Sequence, residues 1–140
     1  MKSKNWIEDL YMSLVEQMAQ MSYAEDRKVG SVVTDNEGLM AFSWNGTVAG
    51  TCNDTQHQGR TLPEVLHAET QAMAKFQRAG RTLRGAVLYT SLSPCMDCAK
   101  AIYQNRLFMV VYKEEYKDRS GIDFLNKHGI ICKQYLGGIT

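Results

Sequence analysis

AVLYTSLSPCMDCAKAIYQNRLFMVVY, residues 86–112, reads as strand, helix, strand. The β-type run Ala86 to Leu92 is closed by Pro94, a residue that loses nothing at a helix start because its missing N–H would be unpaired there. It also forces Ser93 into an extended conformation, which sets the turn from strand to helix. The helix runs through Cys95 to Gln104, and Phe108 to Tyr112 is a second strand. This alternation predicts a sheet whose strands are joined by helical crossovers.

Upstream, helical character is expected after Pro63 and continues through EVLHAETQAMAKFQRA until Gly80 stops it. Val29 to Val33 and Leu39 to Trp44 are β-type runs separated by Asp35-Asn36-Glu37-Gly38, which predicts an antiparallel hairpin. Residues 45–62 are rich in Gly, Thr, Asn, Asp and Gln, a loop long enough to cover or line a site. From Asn5 to Met21 the residues Ile7, Leu10, Tyr11, Leu14, Val15, Met18 and Met21 recur three and four apart, so an amphipathic first helix is expected with this Met-rich stripe in the core. Ser120 to His128 reads as a fourth helix ended by Gly129, and Ile130 to Cys132 as a short closing strand. The sum is one domain, residues 1–140: a three-layer α/β/α arrangement with a central mixed sheet of about five strands.

Composition narrows the function classes. The chain has 44% hydrophobic and 22% charged residues, the balance of a globular protein. Sixteen Lys and Arg against fifteen Asp and Glu leave no global field toward nucleic acid or an anionic membrane, so neither is an expected partner. The amino terminus mixes charges through its apolar positions, unlike a secretion signal, and four cysteines are too few for a disulfide scaffold; a cytoplasmic location is expected.

The chemistry sits in two short segments, His67-Ala68-Glu69 and Pro94-Cys95-Met96-Asp97-Cys98. Alone, a His-x-Glu triplet is weak and a CxxC is ambiguous between zinc, redox and chance. Together, in this order and each beside a helix start, they match the signature of zinc-dependent deaminases. Two thiolates and one imidazole give zinc three protein ligands and leave the fourth position open, as a catalytic site requires. Cys95 and Cys98, three apart on a first helical turn, project the same way, and the positive end of the helix favours their ionised form. A metal there makes a water acidic enough to attack C4 of a cytosine ring. Glu69, two positions from His67, is placed to take the proton, protonate ring N3 and then protonate the departing ammonia.

With these residues the chain resembles the deoxycytidylate deaminase branch of the cytidine deaminase superfamily, from KVGSVV through WNG, LHAE and LYTSLSPCMDCAKAI to FLNKHGI. The resemblance implies a cytidine-deaminase-like fold and hydrolytic deamination of dCMP to dUMP, with dCTP as a further candidate substrate. It implies that Asn45 contacts the deoxyribose, that the backbone N–H of Ala68 binds the pyrimidine carbonyl, that the backbone carbonyl of Ser93 accepts from the amino group, and that Tyr116 packs near the base. Family members are commonly hexamers, activated by dCTP and inhibited by dTTP with Mg2+. Arg27, Lys28 and Arg78 are the candidates for phosphate or effector contacts, each weighed against an ordinary surface charge.

Departures from the pattern matter too. Many members bind a second, structural zinc before His-Ala-Glu, whereas this chain offers only Cys52 and His57 there, and two ligands do not close a site. Both read as loop residues, and Cys132 as a buried strand thiol. Trp44, where this branch more often has tyrosine, is a feature shared with adenosine deaminases acting on transfer RNA. That family is the nearest alternative. A thioredoxin-like redox protein and a structural zinc module completed by Cys52 or Cys132 are alternatives from another class. The redox alternative leaves His67 and Glu69 without a role.

Overall fold

The computed structural model describes residues 5–24, 27–47, 56–57, 60–61 and 65–137. In chain order the elements are α1 (Trp6–Ala19), β1 (Gly30–Thr34), β2 (Met40–Trp44), β3 (Gly46–Thr47), β4 (Gln56–His57), β5 (Arg60–Thr61), β6 (Val65–Leu66), α2 (Ala68–Arg78), β7 (Val87–Leu92), α3 (Met96–Gln104), β8 (Met109–Glu114), α4 (Ser120–Lys127) and β9 (Ile131–Gln134). Five strands form the main sheet in the order β2-β1-β7-β8-β9. β1 runs antiparallel to both β2 and β7, while β7, β8 and β9 are parallel. The expected hairpin, crossovers and mixed five-stranded sheet are therefore all present.

The strands in the middle of the sheet are covered on both sides, and their pleat divides the core in two. Val32, Tyr89 and Val111 face α1, where they meet Met12 and Val15. Val33, Leu88 and Val110 face the other way, against Met73 and Phe76 of α2, Ala99 and Ile102 of α3, and Leu125 of α4. Strands buried on both faces read as near-continuous apolar runs, which is why VGSVV and FMVVY were legible.

The core face of α1 is the expected one only in part: Val15 is buried, with Tyr11 and Leu14 packed beside it, but the rest of the stripe is not. Met12, Val15 and Ala19 are buried, while Ile7, Leu10 and Met21 are 46%, 49% and 53% exposed. Both stripes fit a helical period, and the small Ala19 was the overlooked guide. β1 begins at Gly30, and a Cβ there would lie 2.2 Å from the Val15 carbonyl oxygen and 2.6 Å from the Ala19 nitrogen, both backbone atoms. Only a bare backbone lets helix and strand approach this closely. Gly30→Ala is expected to cost about 3 kcal/mol and lower the thermal midpoint by roughly 10 °C, read by calorimetry.

A second difference lies upstream of α2. Val65 and Leu66 form a strand pairing with Gly46 and Thr47, and the helix starts only at Ala68. Pro63 and the loop around Cys52 lie outside the described residues. For His57 the described feature is its backbone pairing with Arg60. No helix among the described residues is long and apolar enough to cross a membrane.

Candidate active site and metal centre

The site lies where the amino-terminal ends of α2 and α3 meet beside β7. His67 is the N-cap of α2 and Cys95 that of α3, both with extended backbone, and neither side chain caps its own helix. Their side chains turn toward each other instead. His67 Nδ1 is 3.3 Å from Cys98 Sγ and 3.5 Å from Cys95 Sγ. The three ligand atoms lie within 4.8 Å of one another, the only such trio among the described residues.

This spacing fits zinc. Zn–N of about 2.0–2.1 Å and Zn–S of about 2.3 Å at a tetrahedral angle place nitrogen and sulfur about 3.5 Å apart. A hydrogen bond from Cys98 holds the Cys95 thiol down at about 4, with His67 adding to the effect and burial opposing it. The proton shared with Cys95, together with burial, pushes Cys98 up. The cysteine pair thus already favours one thiolate. The bond to Cys95 also raises the His67 pKa, against its burial. Cys132 is a strand thiol on β9 as expected, half-buried rather than buried, pushed up to about 11 by burial and outside the trio.

Glu69 sits in the first turn of α2 and is only 5% exposed. Its Oε1 accepts from the Thr90 hydroxyl at 3.1 Å and its Oε2 from the Cys98 thiol at 3.1 Å. Burial raises its pKa, with those two bonds and His67 opposing. A carboxyl so placed gives up its proton less readily than an exposed one, which suits a group that must both take and return a proton.

The other residues named from the sequence form a connected corner. The Asn45 side chain accepts from the Ser22 hydroxyl and the Val29 N–H, at 2.7 and 3.0 Å, and donates to the Arg27 carbonyl at 2.8 Å. Its carboxamide therefore braces the 27–29 segment and keeps one N–H for a further partner. The Arg27 guanidinium lies 5.1 Å from the Tyr116 ring centre, and the Tyr116 N–H donates to Ser93 Oγ at 2.7 Å. Ser93 leads directly into Pro94 and Cys95, so corner and metal ligands are one network. Ala68, fully buried, opens α2 with one of the N–H groups that a helix start leaves without an intrahelical partner.

Arg27 and Lys28 also line a cavity of about 640 Å³ on the α1 side, with Ser91, Lys113, Glu16 and Glu114. Arg78 lies elsewhere. It is exposed at the far end of α2, nine residues past Glu69, and a helical rise of about 1.5 Å per residue puts it about 14 Å along the axis. The structure does not bring it to the site.

Three residues near the site were missed from the sequence. Thr90 holds Glu69, and Gln71 Nε2 donates to the Trp44 carbonyl at 2.6 Å, tying α2 to the corner. Gly121 lets α4 rest on the turn, since a Cβ there would lie 2.2 Å from the Pro94 carbonyl oxygen and 2.9 Å from that of Cys95. Only Gly121 carried a signal, a helix-disfavouring residue in the first turn of α4.

Comparison with known proteins agrees with this geometry. Residues 5–114 match the family described as the cytidine and deoxycytidylate deaminase zinc-binding region. The dCMP deaminase of the cyanophage S-TIM5, solved in complex with dCMP and dUMP, is 36% identical with a TM-score of 0.89 over 94% of this chain and 98% of its own. The deoxycytidylate deaminase of Enterobacteria phage T4 is 30% identical, the match covering 79% of this chain and 82% of that protein. The tRNA-specific adenosine deaminase of Buchnera aphidicola subsp. Schizaphis graminum is 29% identical over 75% of this chain and 66% of its own length. A His-Cys-Cys trio at the spacing zinc requires, on a fold shared with a dCMP deaminase along nearly the whole chain, places this protein in the cytidine and deoxycytidylate deaminase family.

Proposed function

We propose that the protein is a zinc-dependent deoxycytidylate deaminase, converting dCMP and water to dUMP and ammonia. The observation that carries the substrate is the likeness, across almost all of both chains, to a dCMP deaminase solved with dCMP and dUMP. The near-neutral balance of charge is in keeping with a free nucleotide rather than a transfer RNA, whose polyanionic backbone calls for a basic footprint.

His67, Cys95 and Cys98 hold the zinc. When bound, the metal would supply Lewis acidity, bringing the pKa of a water toward neutrality. Glu69 does the proton work at Oε2, the oxygen on the side of the metal ligands. It takes a proton from the attacking water, delivers it to ring N3, and carries the next to the amino group, which leaves as ammonia. The water oxygen becomes the C4 carbonyl oxygen of dUMP.

The Ala68 N–H binds the pyrimidine carbonyl, the Ser93 carbonyl accepts from the amino group, Asn45 meets the deoxyribose and Tyr116 packs against the base. Arg27 and Lys28 serve the phosphate. The connected corner from Asn45 through Arg27 and Tyr116 to Ser93 supports the assignments of those four residues, and family resemblance those of Ala68 and Lys28. Residues 1–140 act as one domain. Hexamer assembly, activation by dCTP, inhibition by dTTP with magnesium and a cytoplasmic location belong to the same reading, supported by family resemblance.

Ammonia release from deoxycytidine, dCMP, dCTP and an adenosine-containing anticodon stem-loop, assayed in parallel, tests the substrate. dCMP is expected to exceed each of the others by at least about tenfold in kcat/KM. Turnover of the stem-loop with none of dCMP would overturn the reading.

A further inference from the structure

Two hydroxyls occupy the interior of the sheet where apolar side chains would pack. Ser31 on β1 and Thr90 on β7 are both fully buried, and they are register partners across the antiparallel pair. They share a face with Val33 and Leu88, the face covered by α2 and α3. The Ser31 hydroxyl donates to Thr90 Oγ1 at 3.1 Å, and the Thr90 hydroxyl donates to Glu69 Oε1 at 3.1 Å. Burying hydroxyls costs free energy unless each finds a partner, and this chain of partners ends on the one carboxyl group buried among the described residues.

The second contact of that carboxyl is transient by chemistry. The Cys98 thiol donates to Glu69 Oε2, but a cysteine that ligates zinc does so as a thiolate and has no proton to give. Thr90 is then the one protein donor to Glu69 among the described residues. The terminal torsion of a glutamate is broad, so without an anchor the carboxylate samples orientations in which neither oxygen is aimed correctly.

We propose that Thr90, oriented by Ser31, is a positioning residue for Glu69, anchoring Oε1 so that Oε2 stays turned toward the metal ligands. The inference rests on the deaminase reading and concerns the rate of proton transfer rather than substrate binding. It therefore separates kcat from KM. Thr90 also lies within 3.0 Å of the Leu92 carbonyl, a competing acceptor for its single proton. Ser31, by donating to Oγ1, fills an acceptor site on that oxygen and limits how the hydroxyl can turn.

Thr90→Val keeps the shape of the side chain and removes the donor. With zinc-loaded protein and dCMP, kcat is expected to fall about tenfold to a hundredfold while KM and zinc content stay at wild-type values. Thr90→Ser restores the donor and should keep kcat within about threefold. A Thr90→Val enzyme with wild-type kcat would overturn the proposal, as would an equal loss in Thr90→Ser or a loss that tracks zinc. If Thr90→Val does not fold, Ser31→Ala carries the test: a kcat lowered about threefold at unchanged KM supports it, and an unchanged kcat overturns it. Failure of the wild-type chain to form dUMP from dCMP would instead remove the deaminase reading and this inference with it.

Discussion

Glu69→Gln is expected to lower kcat for dCMP by about a thousandfold while the protein keeps one zinc per chain. The side chain is isosteric, its carbonyl oxygen can still accept from Thr90, and it is not one of the three ligand residues. What it loses is the capacity to take up and release a proton. Steady-state kinetics with metal analysis of the same sample separates this outcome from simple loss of the site.

The same substitution has a stability consequence of opposite sign. Burial raises the Glu69 pKa above its unfolded value, so its contribution is fully present below about pH 4 and is lost as pH rises through the folded-state value. Glutamine carries no such charge. The metal-free variant should therefore melt higher than the metal-free parent at neutral pH, with the difference vanishing in acid. A site that trades stability for reactivity in this way is what a catalytic carboxyl requires.

Cys98→Ser is the second large effect. Cys98 is 1% exposed and its sulfur lies 3.3 Å from His67 Nδ1, so it sits inside the ligand trio rather than at its edge. A serine hydroxyl is a poor zinc donor at neutral pH, where it stays protonated. Zinc content should fall well below one per chain, and activity by more than about a thousandfold. Binding of zinc to the folded state raises the thermal midpoint of the wild-type protein, and a chelator reverses that rise. In Cys98→Ser the midpoint should not respond to either. Retention of one tightly bound zinc would assign the metal to other residues.

Much of this was legible because chemistry and local structure agreed in the same short segments. Pro94 marks both the end of β7 and the start of the helix that presents Cys98, so the motif and the turn were one observation. The approach to α2 was less legible. Pro63 carries a helix-start signal, yet Val65 and Leu66 pair as a strand and His67 keeps an extended backbone, φ −77° and ψ 145°. A helix begun at Pro63 would hold His67 inside a regular turn, whereas as an N-cap its imidazole is free to meet the two sulfurs.

Other features had no signature along the chain at all. Ser31 and Thr90 are fifty-nine positions apart and become neighbours only through the β1–β7 register. Within a strand, Thr reads as β propensity rather than as a donor to a carboxylate. Arg78 erred the other way: it shares a helix with Glu69, but the helix carries it away from the site.

The most direct test of the central claim is turnover of dCMP in water enriched in 18O by the zinc-loaded protein. Hydrolytic deamination predicts one ammonia released per dUMP formed and one 18O per dUMP, located at C4. Unlabelled dUMP, or no dUMP from a protein that carries its zinc, would contradict it.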